Sequence, residues 1–219
     1  GIYGLDLNCG CPVPKVVRQG AGSALLNDLD KLQSIIEAIK SVSNKKSLSV
    51  KFRLGFNDKN EKKIAKACEE AGADYIAVHG RTRAGGYSAK VDYEAIARVK
   101  ASVKIPVVAN GDINAQNADE ILNFTKCDAL MIGRASIGSP WIFHEIKTKS
   151  SVDNALKQEI ILAHFDAMIE HYGEHGLCIF RKHLHQYSKG IDGATTFRND
   201  VNFIKDVTAM RERIREFFA

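Results

Sequence analysis

The chain has 219 residues, 45% hydrophobic and 26% charged, with four prolines and no low-complexity tract, which excludes a disordered or fibrous protein and leaves enough apolar residues to bury a core. A net charge of +5 is mild, so overall charge does not mark a nucleic-acid binder and any such claim rests on local patches. No run approaches the ~18 apolar residues of a membrane span and no signal peptide opens the chain, while five cysteines without a second close pair argue against a disulfide framework; the expectation is a cytoplasmic protein without membrane contact.

Five short aliphatic runs alternate with segments of helical period. "IYGLDLN" leads into "CGCP", and "GAGSALL" precedes a helix that Asp28 is expected to cap. "LSVKFRLG" is followed by a helix from Asn60 that Gly72 ends, and "YIAVHGR" by a glycine-containing loop and a helix from Asp92. "IPVVANGD" precedes a helix from Asn114, and "ALMIGRA" is the last strand. Strands alternating with helices indicate βα units and a parallel sheet. From about residue 144 the strands stop, and 155–172, 177–190 and 200–218 read as amphipathic helices. The expected organisation is residues 1–143 as an α/β part and 144–219 as a small all-α helical domain.

Side chains alternate along a strand, so Asp6 and Asn8, Lys51 and Arg53, His79, and Asn110 lie opposite the aliphatic residues of their strands. An open doubly wound sheet needs two apolar faces. A parallel barrel places its apolar face against outer helices and gathers polar residues at the C-terminal mouth, so the pattern predicts part of a TIM (β/α)8 barrel, about five βα units of it. The pair Cys9 and Cys11 admits three readings: a structural cysteine, a reactive thiol, or a zinc site, the last without a second ligand pair. Cys68, Cys127 and Cys178 read as small buried hydrophobes.

"DLNCGCP", "KFRLG", "VHGRTR", "VANGDI" and "MIGRA", in this order and followed by "RKHLHQY", resemble the tRNA-dihydrouridine synthases. "GAGSALL" after the cysteine loop makes the likeness strongest to the bacterial B-type branch. The resemblance implies reduction of tRNA uridines to 5,6-dihydrouridine with FMN and NADPH and without a metal. It matches Cys11 to the catalytic cysteine, which protonates C5 of uracil while reduced FMN delivers hydride to C6, and puts Cys9 at a variable position. It implies flavin contacts for Lys51 and His79. Asn110, Gly111, Asp112, Gly133 and Arg134, at the ends of the last two strands, are expected at the flavin phosphate and ribityl chain, because barrels commonly bind phosphate there. Asn8, Arg81 and Arg83 are expected at the tRNA substrate.

On the tail helix, Leu177, Phe180, Leu184 and Tyr187 form the packed stripe, and Arg181 and Lys182 match the family's tRNA-gripping segment. Arg211, Arg213 and Arg215, interleaved with Glu212 and Glu216, read as a solvated face. Family members carry three βα units ahead of the first strand here, so the chain reads as the C-terminal portion of a longer protein, with open sheet edges and weak flavin binding when alone. Two other functions fit less of the pattern: an FMN barrel reducing a free pyrimidine or another small enone, and an inactive RNA-binding fragment.

Overall fold

A computed structural model describes residues 2–43 and 46–219. The five aliphatic runs form strands β1 (Gly4–Cys9), β2 (Ser47–Arg53), β3 (Tyr75–His79), β4 (Val107–Asn110) and β5 (Ala129–Met131). They lie in the order β1-β2-β3-β4-β5 with every neighbouring pair parallel. Parallel neighbours need a crossover, and helices α1 (Pro14–Arg18), α2 (Leu29–Val42), α3 (Glu61–Glu70), α4 (Tyr93–Lys100) and α5 (Ala118–Thr125) fall between the strands or after β4. Val50 and Phe52, Ile76 and Val78, and Val107 and Ala109 are fully buried, as are Ile64 and Cys68 of α3 and Ile96 and Val99 of α4. One strand parity thus joins the apolar stripes of the helices in a core, each large side chain contributing about 1.5–3 kcal/mol.

The opposite end of the sheet is fastened by a repeated device. Asp74, just before β3, accepts the Leu48 N–H of β2 at 2.6 Å and the Lys40 ammonium at 2.9 Å. Asp128, just before β5, accepts the Val107 N–H of β4 and the Lys100 ammonium, both at 2.7 Å. These bonds hold both carboxyls below the usual range, the Leu48 N–H leading for Asp74 and Lys100 for Asp128. Polar residues at this end are therefore structural, which leaves the other end for chemistry.

Asp28 and Asp92 cap α2 and α4 as expected, accepting from the N–H groups of Lys31 and Ala95. Gly72 follows α3 with φ +94. Asn60 precedes α3 but caps nothing, and its buried Oδ1 has no partner among the described residues. Helix α5 begins at Ala118 and not after Asn114, because Asn114 Oδ1 accepts from the N–H groups of Gln116 and Asn117 in a local turn that competes with helix.

The chain divides between Gly133 and Arg134 into two units. The division falls ten residues before the expected one at 143/144, since Trp141 packs against the apolar cluster of the second unit. Among the described residues, that unit contains a short 3-10 turn (Arg134–Ser136) and helices α6 (Ile142–Thr148), α7 (Asn154–Tyr172), α8 (His175–Tyr187), α9 (Ala194–Phe203) and α10 (Val207–Phe217). Leu177, Phe180, Leu184 and Tyr187 form the buried stripe of α8. Cys68 and Cys127 are buried as expected, whereas Cys178 is exposed on α8. No described helix is long and apolar enough to cross a membrane.

The expected single helix over 200–218 is two. Ile204 is extended, and Asp206 caps α10 by accepting from the Ala209 N–H at 2.8 Å. Val201, Ile204, Val207 and Met210 keep a three-residue spacing through the break, so periodicity could not reveal it. Replacing Asp206 with Ala removes this cap and should destabilise the protein by about 1 kcal/mol, read as a lower urea midpoint with an unchanged slope.

Candidate active site

Register decides which polar side chains meet at the C-terminal end of the sheet. Asn8, Lys51, Ala77, Val108 and Ala129 are successive partners across the five strands, and Arg53, His79, Asn110 and Met131 form the next layer on the same parity. The small Ala77 beside Lys51 leaves room for a long side chain. Asn110 Nδ2 donates to the Met131 carbonyl at 2.8 Å, fastening β4 to the end of β5.

The two cysteines part at the end of β1. Cys9 shares the parity of Leu5 and Leu7 and is fully buried. Burial, and then the charge of Asp6, pushes its thiol up to about 12, so it stays protonated and unreactive. Cys11 lies two residues beyond the strand and is half-buried. Its loop is held from three sides. Asn8 Oδ1 accepts from the N–H groups of Gly10 and Cys11 at 3.0 and 3.1 Å, and Arg53 Nε donates to the Gly10 carbonyl at 2.9 Å. Ser23 donates its N–H and its hydroxyl to the Cys11 carbonyl at 3.1 and 2.9 Å.

The glycines of "GAGS" make the third of these restraints. Gly22 has φ +59, and a Cβ there would stand 2.9 Å from the Cys11 carbonyl oxygen. Only glycine lets the chain turn tightly enough to seat Ser23 on the cysteine loop.

Arg53, which the sequence reading put on the polar face of β2 without a role, organises this end of the sheet. It is 3% exposed. Besides the Gly10 carbonyl it donates through Nη1 to the carbonyls of Thr82 and Gly86, each at 3.2 Å, and lies 5.4 Å from the centre of the Tyr87 ring. It therefore joins the cysteine loop to the loop after β3. A buried guanidinium is costly unless its donors are satisfied, and these carbonyls take three of its five N–H groups.

His79 is buried beside this group, its ring 6.1 Å from that of Tyr87. Burial, then the cations Arg53, Lys51 and Arg81, hold its imidazole down to about 4, against a smaller opposing pull from Asp112. It is neutral at physiological pH. Arg81 Nη1 stands 3.4 Å from His79 Nε2, and a guanidinium only donates, which leaves the ring proton on Nδ1. Lys51 is half-buried, and its ammonium is pulled below its usual value by burial and then by Arg53.

Several expected ligand contacts have intramolecular partners instead. Arg81 is 5% exposed, donates to both oxygens of Asp112, with Nη2 to Oδ2 at 2.5 Å, and also to the Ala89 carbonyl. The pair ties the loops after β3 and β4, so Arg81 is a brace and not a free phosphate ligand. Asp112, at φ +44, brings a carboxylate that would repel a phosphate. Gly111 passes beneath His79, where a Cβ would meet Val91 at 3.1 Å and His79 at 3.2 Å, and its carbonyl accepts from the Tyr93 hydroxyl at 2.7 Å. Arg83 lies over Phe56, its guanidinium carbon 4.8 Å from the ring centre.

Gly133 follows β5, where an added Cβ would meet nothing within 4 Å. Arg134, Arg181 and Lys182 belong to the second unit. There Arg181 donates to the Ile204 carbonyl at the end of α9, while Lys182 is exposed. Among the described residues no group of His, Cys, Asp and Glu could hold a metal ion.

The family model for Dihydrouridine synthase (Dus) matches residues 1–219. The chain is 48% identical over 220 residues to the "Probable tRNA-dihydrouridine synthase" of Helicobacter pylori strain J99, covering 99% of this chain and 67% of that protein. It is 42% identical to the protein of the same description in Rickettsia conorii, with 98% and 68% covered. Identity to "tRNA-dihydrouridine synthase B" of Pseudomonas syringae pv. tomato is 39%, with 100% and 68% covered.

The buried neutral His79 generates a pH prediction. Its folded value of about 4 lies below the unfolded 6.5, so the unfolded chain binds more protons in that window and stability falls as pH drops from 6.5 towards 4. Urea unfolding of His79→Gln should lose about 2 kcal/mol less than the unaltered protein between pH 7.5 and 5. Equal losses would contradict a neutral buried imidazole.

Proposed function

The chain belongs to the dihydrouridine synthase family, and from that premise we propose that it reduces uridines of tRNA to 5,6-dihydrouridine, with FMN as the flavin and NADPH as the source of electrons. The observation that carries this reading is the Cys11 loop: one thiol presented beyond a strand end by Asn8, Arg53 and Ser23, at the end of the sheet whose last two layers hold Lys51 and His79. The five-stranded parallel sheet is read as part of the wall of a TIM barrel whose mouth is this end. The helical segment from about residue 144 is read as the part that holds tRNA, which places the protein in the cytoplasm.

The residues present suit a flavin. Lys51 offers a cation against the electron-rich ring, and the Nδ1 proton of neutral His79 is a donor that does not compete for the substrate's proton. Asn110, Gly111 and the backbone around Gly133 and Arg134 line the ends of the last two strands, where open space at Gly133 permits close backbone approach. Asp112 takes no phosphate role in this reading, because it neutralises Arg81. When bound and reduced, FMN supplies the hydride that C6 of uracil receives.

Cys11 supplies the other half of the addition. Its S–H proton passes to C5 of uracil, leaving a thiolate that solvent reprotonates. Asn8 fixes the loop through Oδ1, and its Nδ2, without a hydrogen bond among the described residues, is left to donate to a uracil carbonyl. A base within folded RNA leaves its stack to reach such a mouth, and Arg83 and Lys182 are the remaining cations assigned to tRNA.

In the full-length protein, Cys11→Ala should leave flavin reduction by NADPH intact and slow dihydrouridine formation by about 100-fold or more, the usual weight of a general acid. Cys9→Ala should change neither rate appreciably. Equal loss in both variants would overturn the assignment of the acid.

A further inference from the structure

The second unit contains a cavity of about 420 Å³ that the reading above does not use. Its wall includes Trp141, Tyr187, Lys157, Lys189, Asn154 and Gln186. The rings of Trp141 and Tyr187 are stacked, 6.0 Å apart at 26°, and the Lys157 ammonium lies 5.7 Å from the centre of the Trp141 ring. Apolar side chains from α7 and the end of α10, Ile161 and Phe218, complete the lining. The volume falls in the range of sites for small ligands.

The Tyr187 hydroxyl of this wall is already paired with His164 Nδ1 at 3.0 Å. Among the described residues, neither lysine forms an ion pair, and neither amide side chain is in a hydrogen bond. The lining includes no aspartate or glutamate side chain. An aromatic wall, two amides that can each donate and accept, and two ammonium groups with no Asp or Glu partner among the described residues together suit a planar ligand with a polar edge and a negative charge. A purely apolar ligand would leave four polar groups unmatched, and an acidic peptide would have no use for the stacked rings.

We propose that this cavity is a second RNA site, which receives an unpaired base of the bound tRNA and pairs the adjoining phosphate with Lys157 and Lys189. The proposal rests on the reading that tRNA is the substrate. Rings take any base by its face, the amides read its edge, and ammonium groups hold the backbone. The site takes a base other than the one that reacts, so it contributes to affinity and not to the chemical step.

Adenosine 5′-monophosphate is the probe, with Trp141 as reporter. In the full-length protein it should change tryptophan fluorescence saturably, adenosine more weakly and inorganic phosphate not at all, and the change should vanish in Trp141→Phe. Lys157→Gln with Lys189→Gln should weaken tRNA binding about 10-fold at low salt and reduce the magnitude of the log-log salt slope by about 1.4, two contacts of about 0.7 each. The melting temperature and the single-turnover rate at saturating tRNA should be unchanged. Unaltered tRNA affinity and slope in the double variant, or fluorescence that ignores the nucleotide, would overturn the site while leaving the proposed reaction standing. If the unaltered protein binds no tRNA, both readings fall.

Discussion

The arrangement at the C-terminal end of the sheet depends on the guanidinium of Arg53. It is a charge at 3% exposure, and it is tolerated because its donors meet the carbonyls of Gly10, Thr82 and Gly86. Removing it would leave three carbonyls without their donor in a half-buried region, at a cost of about 1–3 kcal/mol for each buried group. The same bonds fix two loops that come from different strands. The cysteine loop and the glycine-rich loop after β3 are thereby held to one element, and the position of Cys11 follows from the register of β1 on β2.

Concentrating cations here has a second consequence. Lys51, Arg53 and Arg81 surround His79 and outweigh Asp112, so the imidazole remains neutral. A histidine in that state can donate one hydrogen bond and is not available as an acid, which agrees with the proposed assignment of that role to a thiol. Asp112 neutralises Arg81, and Tyr93 holds Gly111 in place from below. The mouth keeps a positive excess, which suits anionic ligands such as a flavin phosphate and an RNA backbone.

Much of the first unit could be read from the residues because burial follows the strand period. Val50, Phe52, Ile76 and Val78 alternate with Lys51, Arg53 and His79, and the caps Asp28 and Asp92 precede apolar periodic segments. What sequence could not supply was pairing. Arg81 and Arg83 were read alike, yet one meets Asp112, 31 residues away, and the other lies over Phe56. Tyr87 was passed over, although an aromatic in a glycine loop was a signal at hand, and Arg53 was placed on the polar face of its strand but given no role. The break between α9 and α10 was hidden by a spacing that serves one helix or two, and Cys178 was taken for a core residue because nothing local distinguishes an exposed cysteine from a buried one.

Timed alkylation of the native protein with iodoacetamide, followed cysteine by cysteine by mass spectrometry, tests the separation of the paired cysteines most directly. The account predicts that Cys11 and the exposed Cys178 react while Cys9, Cys68 and Cys127 are protected until urea unfolds the chain. Labelling of Cys9 at the rate of Cys11 in the folded protein would contradict it, because the register that buries one thiol and presents the other would then be wrong.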